Sequence, residues 1–226
     1  MATDRLVILA ARPAAGYVMH GLTPPLPPDD AAAAYEAGLR DVVALAARER
    51  ARVEIWYEDA ARAGRYFEAE FPHVPRVAQT GGELGKRVRD ALAWSFAGEA
   101  RSAIVLWSDA PTLPDGLLTA ALSDLREADV VVGPKEGDGY YLIGVRAAAW
   151  SRAEPMLESL PLTERPPYRR MIERAAEVGA DLRILPAWYG IDGIEALRRA
   201  RLDAGPSTHL GRWLAGTAAR RYIGDQ

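Results

Sequence analysis

Apolar and polar positions alternate in blocks along this chain. Leu6–Ala11 is a continuous apolar run, the pattern of a strand buried on both faces of a parallel sheet. A Pro- and Gly-rich loop spans Pro13–Pro28. Asp29 or Asp30 is then placed to cap a helix through Arg48, with Leu39, Val42, Val43 and Leu45 on one side. Further strands are expected at Arg52–Tyr57, Val74–Gln79 and Ser102–Trp107, with helices at Glu83–Phe96 and Pro114–Glu127. Asp129–Val132 and Tyr140–Val145 read as two strands around a Gly-rich turn. Ala147–Gly179 reads as helical, broken at Pro161 and Pro166–Pro167. Leu182–Leu185 reads as a last strand, followed by helices at Gly193–Leu202 and Thr208–Tyr222.

Strands alternating with helices predict an α/β fold, a mostly parallel central sheet with helices on both faces. There is no internal repeat and no long linker, so one domain is expected. Ligands of such sheets bind beyond the carboxyl ends of the strands. The segments after Ala11, Trp107 and Val132 are therefore where chemistry is expected.

Composition narrows the chemistry mainly by exclusion. The 226 residues are 49% hydrophobic and 26% charged, with no cysteine; disulfide scaffolds, thiolate metal sites and cysteine nucleophiles are ruled out. A net charge of −3 and a pI of about 5.7 give no general attraction to nucleic acid or to an anionic membrane. The apolar run before Arg12 is too short for a secretion signal, and no stretch approaches the ~20 apolar residues of a membrane span. A soluble, cytoplasmic protein is expected. The sequence has no G-x-G-x-x-G, no G-x-x-x-x-G-K-[ST] and no G-x-S-x-G, which removes support for dinucleotide, P-loop and nucleophile-elbow chemistry. His20, His73 and His209 are not spaced as metal ligands.

Three segments remain. Ser108-Asp109-Ala110-Pro111 follows the clearest core strand; Asp109 either projects into the cleft, where its oxygens suit Mg²⁺ or Mn²⁺, or caps the next turn. Gly133–Gly144 combines glycines that admit a ligand to the backbone with Asp138, which could accept bonds from sugar hydroxyls. Its Gly-Asp-Gly is equally good hairpin chemistry. Gln79–Arg87 opens a helix, where free N–H groups with Lys86 or Arg87 could hold a phosphate, or where the helix simply presents a solvated face. Trp107 is suited either to stacking on a base or sugar ring or to packing. Thr23–Pro28 reads as a stiff surface loop or a polyproline ligand.

Taken in order, these segments resemble a bacterial family of small transferases, the radical-SAM/selenodomain-associated transferases. They have the Rossmann-like glycosyltransferase-A (GT-A) fold of nucleotide-diphospho-sugar transferases and are distant kin of molybdopterin and phospholactate guanylyltransferases. The carriers are Ala11-Arg12-Pro13 with Gly16, Gln79 through Leu84-Gly85-Lys86-Arg87, Ser108–Pro111, and Gly133-Pro134 through Tyr140–Gly144. The resemblance implies a GT-A domain, taken over residues 1–204; the apolar spacing of Leu210, Trp213, Leu214 and Tyr222 predicts a helical tail over 205–226, packed on the domain or at a homodimer contact. It implies Asp109 as a metal ligand for Mg²⁺ or Mn²⁺, and Asp192 as a second. Ala11, Arg12, Pro13, Gly16, Gln79, Gly82, Lys86, Arg87 and Ser108 would form the nucleotide site. Asp138, as general base, and Tyr140 would orient the acceptor.

This chain departs from the family pattern at three places. Met19, His20 and Gly21 stand where the family carries Lys-Thr-Arg. Gly137-Asp138-Gly139 replaces Asp-Gly-Gly, and Gly190-Ile191-Asp192 replaces Asp-x-Asp. Lost charge-assisted phosphate bonds are worth about 1.5–3 kcal/mol each, with Arg12 or Lys86 as candidates to compensate. The expected function is metal-dependent transfer from a nucleotide sugar or nucleoside triphosphate to a small-molecule acceptor. The alternative is a catalytically impaired member that binds a ligand or partner.

Overall fold

A computed structural model describes residues 3–58, 60–158, 160, 166 and 168–224. A seven-stranded sheet is its centre, built from β1 (Asp4–Ala10), β2 (Ala51–Tyr57), β3 (Arg76–Ala78), β4 (Ser102–Trp107), β5 (Val130–Pro134), β6 (Tyr140–Arg146) and β7 (Leu182–Ile184). The strand order is β3-β2-β1-β4-β6-β5-β7. Every pairing is parallel except those of β6, which runs antiparallel to both β4 and β5.

Apolar runs become strands buried on both sides because successive residues point to opposite faces. Leu6 and Ile8 enter one apolar cluster with Leu39, Val42 and Leu106. Val7 and Leu9 enter the other with Val88, Leu92 and Val105. The first face is covered by α1 (Pro28–Ala46), α2 (Ala60–Glu70) and α4 (Asp115–Asp124), and the second by α3 (Leu84–Ala97), α5 (Trp150–Ala153) and α6 (Arg169–Val178). A third cluster joins α7 (Ile194–Asp203), α8 (His209–Leu214) and α9 (Thr217–Ile223) to Leu22, Leu26 and Ala31. Among the described residues no helix is long and apolar enough to cross a membrane.

The α/β architecture expected from the alternation of apolar runs is the one observed, with differences that have local causes. β1 begins at Asp4 rather than Leu6, because Asp4 and Arg5 are buried yet paired: Arg101 and Ser102 hold Asp4, and Glu54 lies 3.4 Å from Arg5. α1 is not capped by Asp29 or Asp30. Its N-cap is Pro27, and both acids lie inside the first turn, where they face the positive end of the helix dipole. The sequence pattern left α2 unrecognised; Ala63 and Phe67 are buried one turn apart, and Phe67 stacks on Tyr57 at 5.2 Å. The tail expected as one helix is two, α8 and α9, separated at 215–216. α6 ends at Gly179, which takes the left-handed conformation (φ 66°) that glycine enters without a Cβ penalty. Of the expected helix breaks, Pro161 and Pro167 lie outside the described residues, and Pro166 lies in a bend before α6.

Candidate functional site

Two parallel neighbours, β1 and β4, end side by side, and their last residues open a cavity of about 200 Å³. Ala11, Tyr35, Glu58, Arg87, Ser108 and Asp109 line it, with Trp107 among its walls. A larger cavity of about 470 Å³ opens between α1, residues 111–115 and the tail, but the smaller one lies at the carboxyl strand ends. That is where the fold delivers loop residues to a ligand.

Tyr35 of α1 ties the two strand ends together. Its hydroxyl accepts the Ala11 backbone N–H at 2.9 Å and shares a hydrogen bond with Ser108 Oγ at 2.8 Å. Burial pushes its pKa up to about 12, so the phenol stays protonated throughout the physiological range. Across the cavity, Arg87 pairs with Glu58 and donates to Gln79 Oε1 at 3.3 Å, while Gln79 Nε2 donates to the Trp56 carbonyl at 2.7 Å. The opening turn of α3 is thereby fastened to the end of β2.

Asp109 is fixed by its backbone. Its carbonyl accepts the Ile191 N–H at 2.7 Å, which brings the Gly190–Asp192 segment over the end of β4. The carboxylate has two unlike oxygens. Oδ2 receives Lys135 Nζ at 2.7 Å, with both side chains mostly buried. Among the described residues Oδ1 is buried without a hydrogen-bond partner. A Cβ at Gly190 would fall 3.0 Å from Lys135 Cδ and 3.1 Å from Asp109 Oδ2, so a larger residue there would press on both members of the pair.

The donor set decides what a cation could find here. Among the described residues no three His, Cys, Asp or Glu side chains come together as a metal cage. Asp109 Oδ1 is nevertheless a buried oxygen with no partner. Mg²⁺ is typically held by one or two carboxylates, substrate phosphates and water rather than by a protein cage, and one free carboxylate oxygen fits that demand.

The structure thus gathers Ala11, Gln79, Arg87, Ser108 and Asp109 around one cavity. The other candidates lie elsewhere. Lys86 is exposed on α3, donating to Asp90 at 2.6 Å and Thr80 at 3.0 Å. Gly82 (φ 94°) packs on the Lys86 stem, and Gly16 (φ 69°) is exposed. Arg12 and Pro13 follow β1 half-buried, and Arg12 Nε has no partner among the described residues. Asp192 is exposed, two residues beyond Gly190. Its carbonyl would lie 1.8 Å from a Cβ at Gly21, so any larger residue in this cation-poor loop would collide with the Asp192 backbone.

Asp138 is half-buried in the β5–β6 turn, outside the cavity lining. Lys135 N–H donates to Gly139 O across that turn, and Gly137 and Gly139 both have positive φ. Tyr140 does not face the cavity. β6 is a central strand buried on both faces, and the ring lies in the core at 1% exposure. Sequence reasoning missed Tyr35, Glu58 and Lys135. Lys135 alone left a trace, as one of two lysines in a chain otherwise basic through arginine.

Residues 41–160, more than half of the chain, match the family described as "Uncharacterized protein conserved in bacteria (DUF2064)". No curated protein matches the sequence. Among solved structures, a candidate nucleotide-diphospho-sugar transferase from Desulfovibrio desulfuricans G20 is similar at TM-score 0.88 and 25% identity, over 98% of this chain and 99% of that one. A CMP:2-keto-3-deoxy-manno-octonic acid synthetase complexed with CTP superposes at TM-score 0.56 and 14% identity, covering 89% of this chain and 98% of that one. A 4-diphosphocytidyl-2C-methyl-D-erythritol synthase does so at 0.58 and 12%, covering 91% and 99%. The sheet and its flanking helices are thus those of the nucleotide-diphospho-sugar transferase fold.

Proposed function

This chain belongs to the bacterial family DUF2064, and from that premise we propose that it is a transferase acting on a nucleotide-activated donor, a nucleotide sugar or a nucleoside triphosphate, with a small-molecule acceptor. The observation that carries this reading is Asp109 at the carboxyl end of β4, with an unpartnered buried oxygen beside a cavity at the strand ends. The similar solved structures support it: they include a candidate nucleotide-diphospho-sugar transferase and a synthetase holding CTP. The finer assignment, to the radical-SAM/selenodomain-associated transferases, rests on the order of the sequence motifs and is part of the proposal.

The chemistry follows from what each group offers. Ala11, Ser108 and Trp107 would form the wall against the nucleoside, with Tyr35 holding the first two in place. Arg87, already oriented by Glu58 and Gln79, would face the anionic part of the donor. Asp109, joined by Asp192, would hold Mg²⁺ or Mn²⁺; such an ion, when bound, stabilises the charge that develops on the leaving phosphate. Asp138 lies outside the cavity lining, so as acceptor base it would serve only an acceptor long enough to reach the β5–β6 turn.

Calorimetric titration of nucleoside di- and triphosphates, with Mn²⁺ and in EDTA, tests the reading on the wild type and on Asp109→Asn. The wild type should bind a nucleotide at least about tenfold more tightly with Mn²⁺, and Asp109→Asn should lose that enhancement, as expected for a charge-assisted contact. A wild type that binds no nucleotide in either buffer removes the transferase reading. It leaves the alternative, a ligand- or partner-binding member, which the neutralisation of Asp109 by Lys135 favours.

A further inference from the structure

Lys135 is held with more care than an incidental surface pair requires. Its backbone N–H closes the β5–β6 turn on Gly139 O at 2.9 Å, and the residue bridges to Trp188. Its stem passes Gly190, where a Cβ would come within 3.0 Å of Cδ. The side chain is only 18% exposed, and its ammonium ends on Asp109 Oδ2, the carboxylate that borders the strand-end cavity. Arg87 and Lys86 already have acidic partners, Glu58 and Asp90, whereas the Lys135 ammonium ends on Asp109 itself.

A buried ion pair in which one carboxylate oxygen stays orphaned is a poor stabilising device, since desolvation offsets much of the attraction. It is a good arrangement for a cation that must be present before a polyanion arrives. Lysine also suits that task better than arginine: a compact ammonium on a flexible stem can turn from one oxygen to another without dismantling a planar fork.

We propose that Lys135 is a phosphate-binding residue for a nucleoside di- or triphosphate donor. Its ammonium, held on Asp109 Oδ2, would bridge carboxylate and phosphate when the donor enters. The inference rests on the transferase reading above and adds to it a cation supplied by the chain itself, so that phosphate retention does not depend wholly on a metal.

The test is nucleoside triphosphate binding in EDTA and with Mn²⁺ by wild type, Lys135→Met, Lys135→Arg and Asp109→Asn, with thermal melts confirming folding. Lys135→Met should weaken binding about tenfold or more, as for the loss of one charge-assisted phosphate contact. Lys135→Arg should fall between the wild type and Lys135→Met, since it keeps the charge but not the compact ammonium. Asp109→Asn, which releases the ammonium from its carboxylate, should bind the nucleotide more tightly than wild type in EDTA. Titration of Mn²⁺ alone should show tighter metal binding in Lys135→Met, because the competing ammonium is gone. Nucleotide affinity unchanged in Lys135→Met, in whichever buffer the wild type binds, overturns the inference and leaves the transferase reading standing. Absence of nucleotide binding by the wild type removes both.

Discussion

Tyr35 shows how one buried hydroxyl can set the geometry of a site. It joins the backbone after β1 to Ser108 after β4, two segments that the chain separates by almost a hundred residues. Tyr35→Phe keeps the ring but leaves the Ala11 N–H and the Ser108 hydroxyl without this partner. The cost of such orphaned groups is about 1–2 kcal/mol, or roughly 4 °C in Tm for a domain of this size. Differential scanning calorimetry checks it. Nucleotide affinity should fall in the same variant, since the cavity loses the tie between its walls; unaltered binding would mean that Tyr35 serves stability alone. The same scale explains Gly21. Its place against the Asp192 carbonyl accounts for a small residue at this position.

At the level of elements, Asp129 is the joint of the second half of the sheet. It precedes β5, takes Arg146 from the end of β6 and Arg152 from α5, and accepts the Asp181 N–H before β7 at 3.1 Å. Burial opposes its ionisation, but the two arginines and the backbone donor outweigh burial and hold its pKa below the ordinary 3.8. A carboxylate depressed in the folded state contributes stability above its unfolded pKa and loses it as pH falls through the folded value. Wild-type Tm should therefore drop below about pH 4 more steeply than that of Asp129→Asn, which should already be destabilised at pH 7 by about 2–3 kcal/mol. Parallel pH–melting curves of the two proteins measure both effects. If they keep a constant separation down to pH 2, Asp129 is not the titrating joint.

For the whole molecule, the tail is fastened by a carboxylate rather than by apolar contact alone. Asp41 of α1 accepts the His209 and Leu210 N–H groups, both at 2.8 Å, at the start of α8. Leu210, Leu214, Ala219 and Ile223 then complete the third apolar cluster. Asp41→Ala removes two bonds at a helix start and should cost about 1–2 kcal/mol. The loss should be local, so limited proteolysis should cut in the 205–224 region before the sheet unfolds. Simultaneous cleavage throughout would mean that the tail and the sheet unfold as one unit.

The sequence by itself determined the strands, most of the helices and the strand ends at which the proposed site lies, because hydrophobic period is a local property that burial enforces. Leu6–Ala11 and Ser102–Trp107 read as core strands and lie in the sheet as parallel neighbours, and Ala11, Ser108 and Asp109 meet beyond them. The tertiary structure alone decided which distant side chains share the site. Register and packing, not spacing, bring Tyr35 to Ser108 and Lys135 to Asp109. They also make β6 a central antiparallel strand, which draws Tyr140 into the core while the turn before it carries Lys135 to Asp109. A pattern along the chain records which face of an element is buried; it does not record what lies opposite, and the chemistry of this site depends on what lies opposite.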